Sequence, residues 1–175
     1  MIRLAGPIGE ACYSECMNYR YVLTRPLQDL LSITNRPTRA VNFIMLNPST
    51  ATEQQNDPTI RRCMGYASDW DYDELLITNI FAYRSTDPFQ LRLQSDPIGR
   101  ENNHYLREIA KLSDRIICAW GTHGELNNRG AEVLRLLSDF DLYCLKQTSG
   151  DHPSHPLYLK RSLQPVLWKS KGGAK

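Results

Sequence analysis

Four apolar runs mark the chain, and each gives way to polar residues. Val41-Asn42-Phe43-Ile44-Met45-Leu46 precedes Asn47-Pro48-Ser49, and Leu75-Leu76-Ile77 precedes Thr78-Asn79. Arg115-Ile116-Ile117-Cys118-Ala119-Trp120 precedes Gly121-Thr122-His123, and Leu142-Tyr143-Cys144-Leu145 leads towards Thr148 and Asp151-His152-Pro153-Ser154-His155-Pro156. Apolar character with so little alternation predicts strands covered on both faces, as in a parallel sheet. The intervening segments have helical spacing. Asp57-Pro58-Thr59 offers an N-cap followed by proline at the first helical position, predicting a helix to about Asp69. Asp96-Pro97 repeats that signal ahead of Ile98, Tyr105, Leu106, Ile109 and Leu112, and Leu126, Gly130, Val133, Leu134 and Leu137 form a third stripe. Alternating strands and helices predict an α/β fold: a three-layer sandwich around a central, mainly parallel four-stranded sheet.

The first 40 residues follow a different pattern. Tyr19 to Arg25 reads as an edge strand stopped by Pro26, and Leu27 to Ile33 as a short helix ended before Asn35-Arg36-Pro37. Residues 1–40 are therefore expected as an N-terminal β extension packed on the same domain, 41–168 as the α/β core, and 169–175 as a flexible basic tail.

The chain has 175 residues, enough for one ordinary domain, and its 41% hydrophobic and 23% charged content excludes disorder. No apolar run approaches the roughly 20 residues of a membrane span. Lys plus Arg total 21 against 19 Asp plus Glu, a net charge of +2, which lacks the strong basic excess of many nucleic-acid binders but permits a local basic face. The five cysteines, Cys12, Cys16, Cys63, Cys118 and Cys144, show no paired spacing. With no secretory apolar core at the first residues, they are expected as reduced thiols in a cytoplasm. Cys12 and Cys16 lack the further ligands of a metal site, so neither metal nor cofactor is expected.

In an open α/β sheet ligands bind outside the carboxyl ends of the strands. Those ends carry Asn47, Ser49, Asn79, His123, His152 and His155, groups suited to reading a base edge or holding a water. Carboxylates are sparse there, which disfavours a two-metal phosphoryl site. Neither G-x-x-x-x-G-K-[ST] nor G-x-G-x-x-G occurs. Each signal also has a structural reading. Asn47-Pro48 suits a turn, Asn79 a loop backbone partner, Trp120-Gly121 a core aromatic before a tight turn, and His123 a loop. Arg61-Arg62 suits a solvated helix face, and Arg84 a salt bridge to Asp87.

Taken together, Phe43 to Ala51, Asp57-Pro58-Thr59, Asn79-Ile80-Phe81-Ala82-Tyr83-Arg84, Trp120-Gly121-x-His123-Gly124 and His155-Pro156-Leu157-Tyr158-Leu159 resemble an uncharacterised family of short bacterial and phage proteins. The likeness runs from about Tyr19 to Trp168. The order of landmarks is also similar to that of the uracil-DNA glycosylase superfamily. There an Asn-Pro motif closes an early strand, an Asn that reads the base closes the second, Trp-Gly follows the third, and a His-Pro loop follows the fourth. Here Leu46-Asn47-Pro48-Ser49, Asn79, Trp120-Gly121 and His155-Pro156 hold those places. The glycines that flank Asn-Pro in that superfamily are Leu46 and Ser49 here, and the late loop reads His-Pro-Leu-Tyr. These departures point away from ordinary uracil excision and towards a bulky or modified base.

That resemblance implies a nucleobase DNA glycosylase, acting on single- or double-stranded DNA without membrane or obligate protein partner. Asn47 and His155 would be catalytic, the first orienting a water and the second donating to the base oxygen, with His152 the alternative to His155. Asn79 would read the flipped base, Phe81 or Tyr83 would stack on it, and Leu157, Tyr158 or Leu159 would supply a wedge. Ser49, Arg84, Tyr158, Lys160 and Arg161 would contact phosphate or DNA. Two other functions remain open from the residues: a non-catalytic nucleic-acid or nucleotide binding domain of the same fold, and an N-glycosidase of small nucleotides.

Overall fold

The structure, a computed structural model, describes residues 1–28 and 36–173. The chain is of the α/β class, built on one eight-stranded sheet. The strands are β1 (Ile2–Gly6), β2 (Gly9–Tyr13), β3 (Arg20–Pro26), β4 (Ala40–Met45), β5 (Glu74–Asn79), β6 (Arg115–Cys118), β7 (Leu142–Cys144) and β8 (Val166–Lys169). Their spatial order is β1-β2-β3-β5-β4-β6-β7-β8. Four of the seven neighbouring pairs are antiparallel, so the sheet is mixed rather than mainly parallel, and it is wider than the expected four central strands with an N-terminal strand or two. β4 pairs in parallel with β5 and β6, and β6 with β7. β1 to β3 form an antiparallel meander that joins through the pairing of Leu23 with Ile77.

Two departures from expectation have simple causes. The N-terminal extension supplies three strands, because Ile2 to Gly6 and Gly9 to Tyr13 pair as a hairpin too short to stand out in composition. The expected tail begins inside a strand: β8 pairs with β7, Lys171 N–H donates to Asp141 and Gly172 N–H to the Ser138 carbonyl. The helix expected over Leu27–Ile33 falls mostly outside the described residues.

Alternation along β4 divides the interior into two faces. Val41, Phe43 and Met45 face the helix α1 (Pro58–Asp69), whose Ile60, Cys63, Tyr66 and Ala67 are buried against them. Phe43 lies nearly parallel to Trp70 at 6.0 Å, with Tyr66 stacked beside both. Ile44 and Leu46 face the opposite way, with α2 (Asn102–Lys111) and α3 (Arg129–Leu136) covering that side. The sheet is thus the middle of three layers. Asp57 caps α1 as its spacing predicts, accepting from Ile60 N at 2.8 Å. Asp96 does not start a helix. It accepts from Gly99 N at 2.9 Å, and Gly99 then turns left-handed with φ of 84°, so α2 begins only at Asn102. Likewise a 3-10 stretch over Thr122–Asn128 precedes α3, broken by left-handed Asn127 and Asn128.

Candidate functional site

The carboxyl ends of β4, β5 and β6 open onto a cavity of about 540 Å³. Its walls include Asn47, Ser49, Asn79, His155 and Tyr158, brought together from two separate loops and a strand end. That volume lies in the usual range for small-ligand sites.

Asn47 follows the last residues of β4. Both of its amide protons are taken, by the carbonyls of Pro48 at 3.0 Å and Ser85 at 2.8 Å. The side-chain nitrogen is therefore fixed and Oδ1 has no partner among the described residues, which leaves it as a positioned acceptor in the cavity wall. Asn79, the last residue of β5, is 1% exposed, and its Nδ2 is buried without a hydrogen-bond partner. An unpaired buried donor costs about 1–3 kcal/mol, so this position is held against its own preference. The holding is done by two residues that no sequence motif singles out. Asn102 donates from Nδ2 to the carbonyls of Asn79 and Ile80, both at 3.0 Å. Fully buried Arg129 donates from Nε to the Ile80 carbonyl at 2.7 Å.

The late loop is tied to its neighbours at several points. Gly121 N–H donates to the Pro153 carbonyl at 2.8 Å, with Gly121 at a φ of 71° that favours glycine. Gly124 is required for space: a Cβ there would lie 2.2 Å from the Trp120 ring. From α1, Arg62 donates to the Leu159 carbonyl and Tyr66 to the Lys160 carbonyl. Arg62 is thus a brace for the loop rather than part of a solvated face. His155 caps the short 3-10 turn Pro156–Tyr158, its Nδ1 accepting from Leu157 N at 3.4 Å. Burial holds its imidazole below the ordinary range, opposed in part by the Asp57 carboxylate. At neutral pH the ring is uncharged, and with Nδ1 accepting, its proton sits on Nε2.

Other expected site residues lie elsewhere. His152 turns to Glu125, Nε2 to Oε1 at 2.9 Å, and lines a separate pocket behind Trp120, so His155 is the imidazole of the late loop in the cavity. Phe81 is fully buried in the core facing α2 and α3, too far inside to stack on a ligand. Tyr83 packs edge-on against Tyr19 and, with Arg84, lines an open polar groove. That groove shares Ser49, Ser85 and Thr86 with the cavity wall. Arg84 donates to the Met17 carbonyl at 2.9 Å and lies over the Tyr13 ring, with no ion pair to Asp87. Arg161 is engaged by Asp69 through two bonds of 2.6 and 2.7 Å, and the Lys160 side chain is outside the cavity lining.

Two charged groups in the lining were not read as site residues from the sequence. Asp57, which looks like a helix cap and is one, is also the one carboxylate of the lining among the described residues. Arg20, which looks like part of a strand, is 2% exposed and lines the cavity from β3. Its position beside Tyr19 and Tyr21 in a β pattern gave no sign of this.

A family model described as a protein of unknown function (DUF1643) matches residues 20–157. The chain belongs to that family. The matched span contains Arg20, Asn47, Asp57, Asn79 and His155, and leaves out β1, β2 and β8. No curated protein and no solved structure matches the chain. Among the described residues no helix is long and apolar enough to cross a membrane.

Proposed function

We propose that this protein hydrolyses the N-glycosidic bond of a nucleobase flipped out of DNA, and that the arrangement of its parallel strands and loops is glycosylase-like. The observation that carries the reading is the meeting of three groups with complementary vacancies in one cavity. Asn47 offers a fixed, unpartnered acceptor, Asn79 a buried, unpartnered donor, and His155 a neutral ring with its proton on Nε2.

The chemistry uses each in turn. A water held on Asn47 Oδ1 forms a bond to the sugar C1′ as the bond from C1′ to the base nitrogen breaks and its electron pair leaves with the base. Asp57 supplies a carboxylate in the same lining to take the proton lost by the water. His155 donates to the base oxygen where negative charge grows, a contribution typically worth about 10²–10³ in rate. Asn79 reads the base edge. The polar groove that shares Ser49 with the cavity and carries Arg84 gives a path for the flanking backbone, which favours a polymer over a free nucleotide.

The test is a panel of DNA duplexes and single strands carrying uracil, mismatches, and glucosylated or otherwise modified bases, scored for alkali-labile sites. The wild type is expected to generate such sites from at least one member. Asn47→Ala and His155→Ala are expected to lose about 100-fold or more in rate while still folding, with some fall in melting temperature from the hydrogen bonds each removes. Salt-sensitive DNA binding with no base release across the panel would leave a binding domain in its place.

A further inference from the structure

Among the described residues three arginines are essentially buried, and they differ in what they do with their donors. Arg25 gives all of its guanidinium nitrogens to Asn56 and to the carbonyls of Thr24, Thr52 and Gln55. Arg129 bonds Ile80 and Asn103 and faces Glu132 across 2.8 Å. Among the described residues Arg20 bonds only the Ala51 carbonyl, through Nη1. Its Nε is buried with no partner, and it pairs with no carboxylate among the described residues. A buried charge is normally paired, because leaving it alone forfeits hydration without recompense. Burial lowers its pKa to about 10, so it is still charged at neutral pH. Asn79, whose Nδ2 is buried and unpartnered, lines the same cavity. The lining thus carries unpartnered donors and a formal positive charge that no carboxylate contacts among the described residues, the Asp57 carboxylate of the same cavity acting on it only from a distance.

We infer that Arg20 and Asn79 form an oxyanion subsite, and that the protein's ligand carries a carboxylate or phosphate that completes it. The inference rests on the same cavity as the proposed hydrolysis and narrows its substrate class: the base bears an acidic substituent, or the nucleotide presents a phosphate to this subsite. A planar guanidinium with free Nε and Nη2 edges matches the paired oxygens of either group.

Matched pairs of probes separate the two sources. Uracil against 5-carboxyuracil, and uridine against uridine 5′-monophosphate, are titrated calorimetrically into the full chain, with inorganic phosphate as a fifth probe. The charged member of one pair is expected to bind at least tenfold more tightly than its neutral partner. Arg20→Gln is expected to erase that gain, and Arg20→Lys to keep part of it. A gain confined to 5-carboxyuracil assigns the anion to the base, and one shared by the monophosphate and inorganic phosphate assigns it to a phosphate. No gain in either pair, or an equal gain in wild type and folded Arg20→Gln, overturns the subsite. If Arg20→Gln does not fold, Asn79→Asp replaces it, since a carboxylate in the same lining should abolish the preference. Arg20-dependent binding without base release from DNA retains the subsite and removes the hydrolytic reading. Base release at the wild-type rate by Arg20→Gln does the reverse.

Discussion

Asn79 and His155 show how much of the site depends on single atoms. The buried Nδ2 of Asn79 has no partner, so replacing the amide by an apolar side chain of similar size removes a desolvation cost. Asn79→Leu is therefore expected to melt at or above the wild-type temperature while losing ligand binding, the usual trade between stability and a site held ready. A clear fall in melting temperature would mean that the amide is structural. For His155, burial lowers the folded-state pKa, so the fold disfavours the protonated ring. Its contribution to stability is whole above the ordinary imidazole range and is lost as pH falls through it and below. The proposed role adds a second expectation: base release flat from neutral pH upward and falling on the acid side, with the acid limb altered in His155→Gln. Asn47, Asn79 and His155 were legible in the sequence because each sits at the polar end of an apolar run. Arg20 was not, since nothing in a strand pattern shows which buried cation lacks an anion.

At the scale of elements, the strand ends are presented by clamps far from them in sequence. Asp73, just before β5, receives both terminal nitrogens of Arg36 and the N–H of Arg39, each at 2.7 Å. Those bonds hold its carboxyl below the usual carboxylate range, Arg36 contributing most. The stabilisation is present above the ordinary Asp range and is lost as pH falls through the lowered value. Asp73→Asn should accordingly melt several degrees below wild type at neutral pH, with the difference shrinking in acid. A gap unchanged down to strongly acidic pH would remove the ionic part of the clamp. At the other end of the sheet, Gly124→Ala places a methyl against Trp120, and the indole must move at a cavity wall. Ligand affinity is expected to fall more than stability, which calorimetry and thermal melts on the same sample separate. The β4, β5, β6 and β7 segments were legible as apolar runs, and α1 from its cap and proline. β1, β2 and β8 were not, because short strands at the margins of a sheet resemble loops in composition. The start of α2 was misplaced because Asp-Pro suits a turn as well as a helix, and only the left-handed Gly99 decides between them.

Across the whole molecule, the three-layer arrangement sets which groups meet solvent. Cys16 is exposed, while Cys12, Cys63, Cys118 and Cys144 are buried. A hydrogen bond from Ser14 lowers the pKa of Cys16, whereas burial raises those of Cys63, Cys118 and Cys144. Brief alkylation of the folded protein should label Cys16 first by mass spectrometry, and rapid labelling of Cys63 would contradict the packing of α1 on the sheet. The layers also place every loop of the candidate site at one rim, where α1 braces the late loop through Arg62 and Tyr66. A single-turnover assay tests whether these converging side chains act on one substrate. Free base released from end-labelled DNA of the responsive sequence is measured by chromatography for wild type, Asn47→Ala, Asn79→Leu and His155→Ala. Release by the wild type is expected, with a loss of about 100-fold or more in each folded variant. Release that persists at wild-type rate in any two of the three would show that these side chains do not share one reaction.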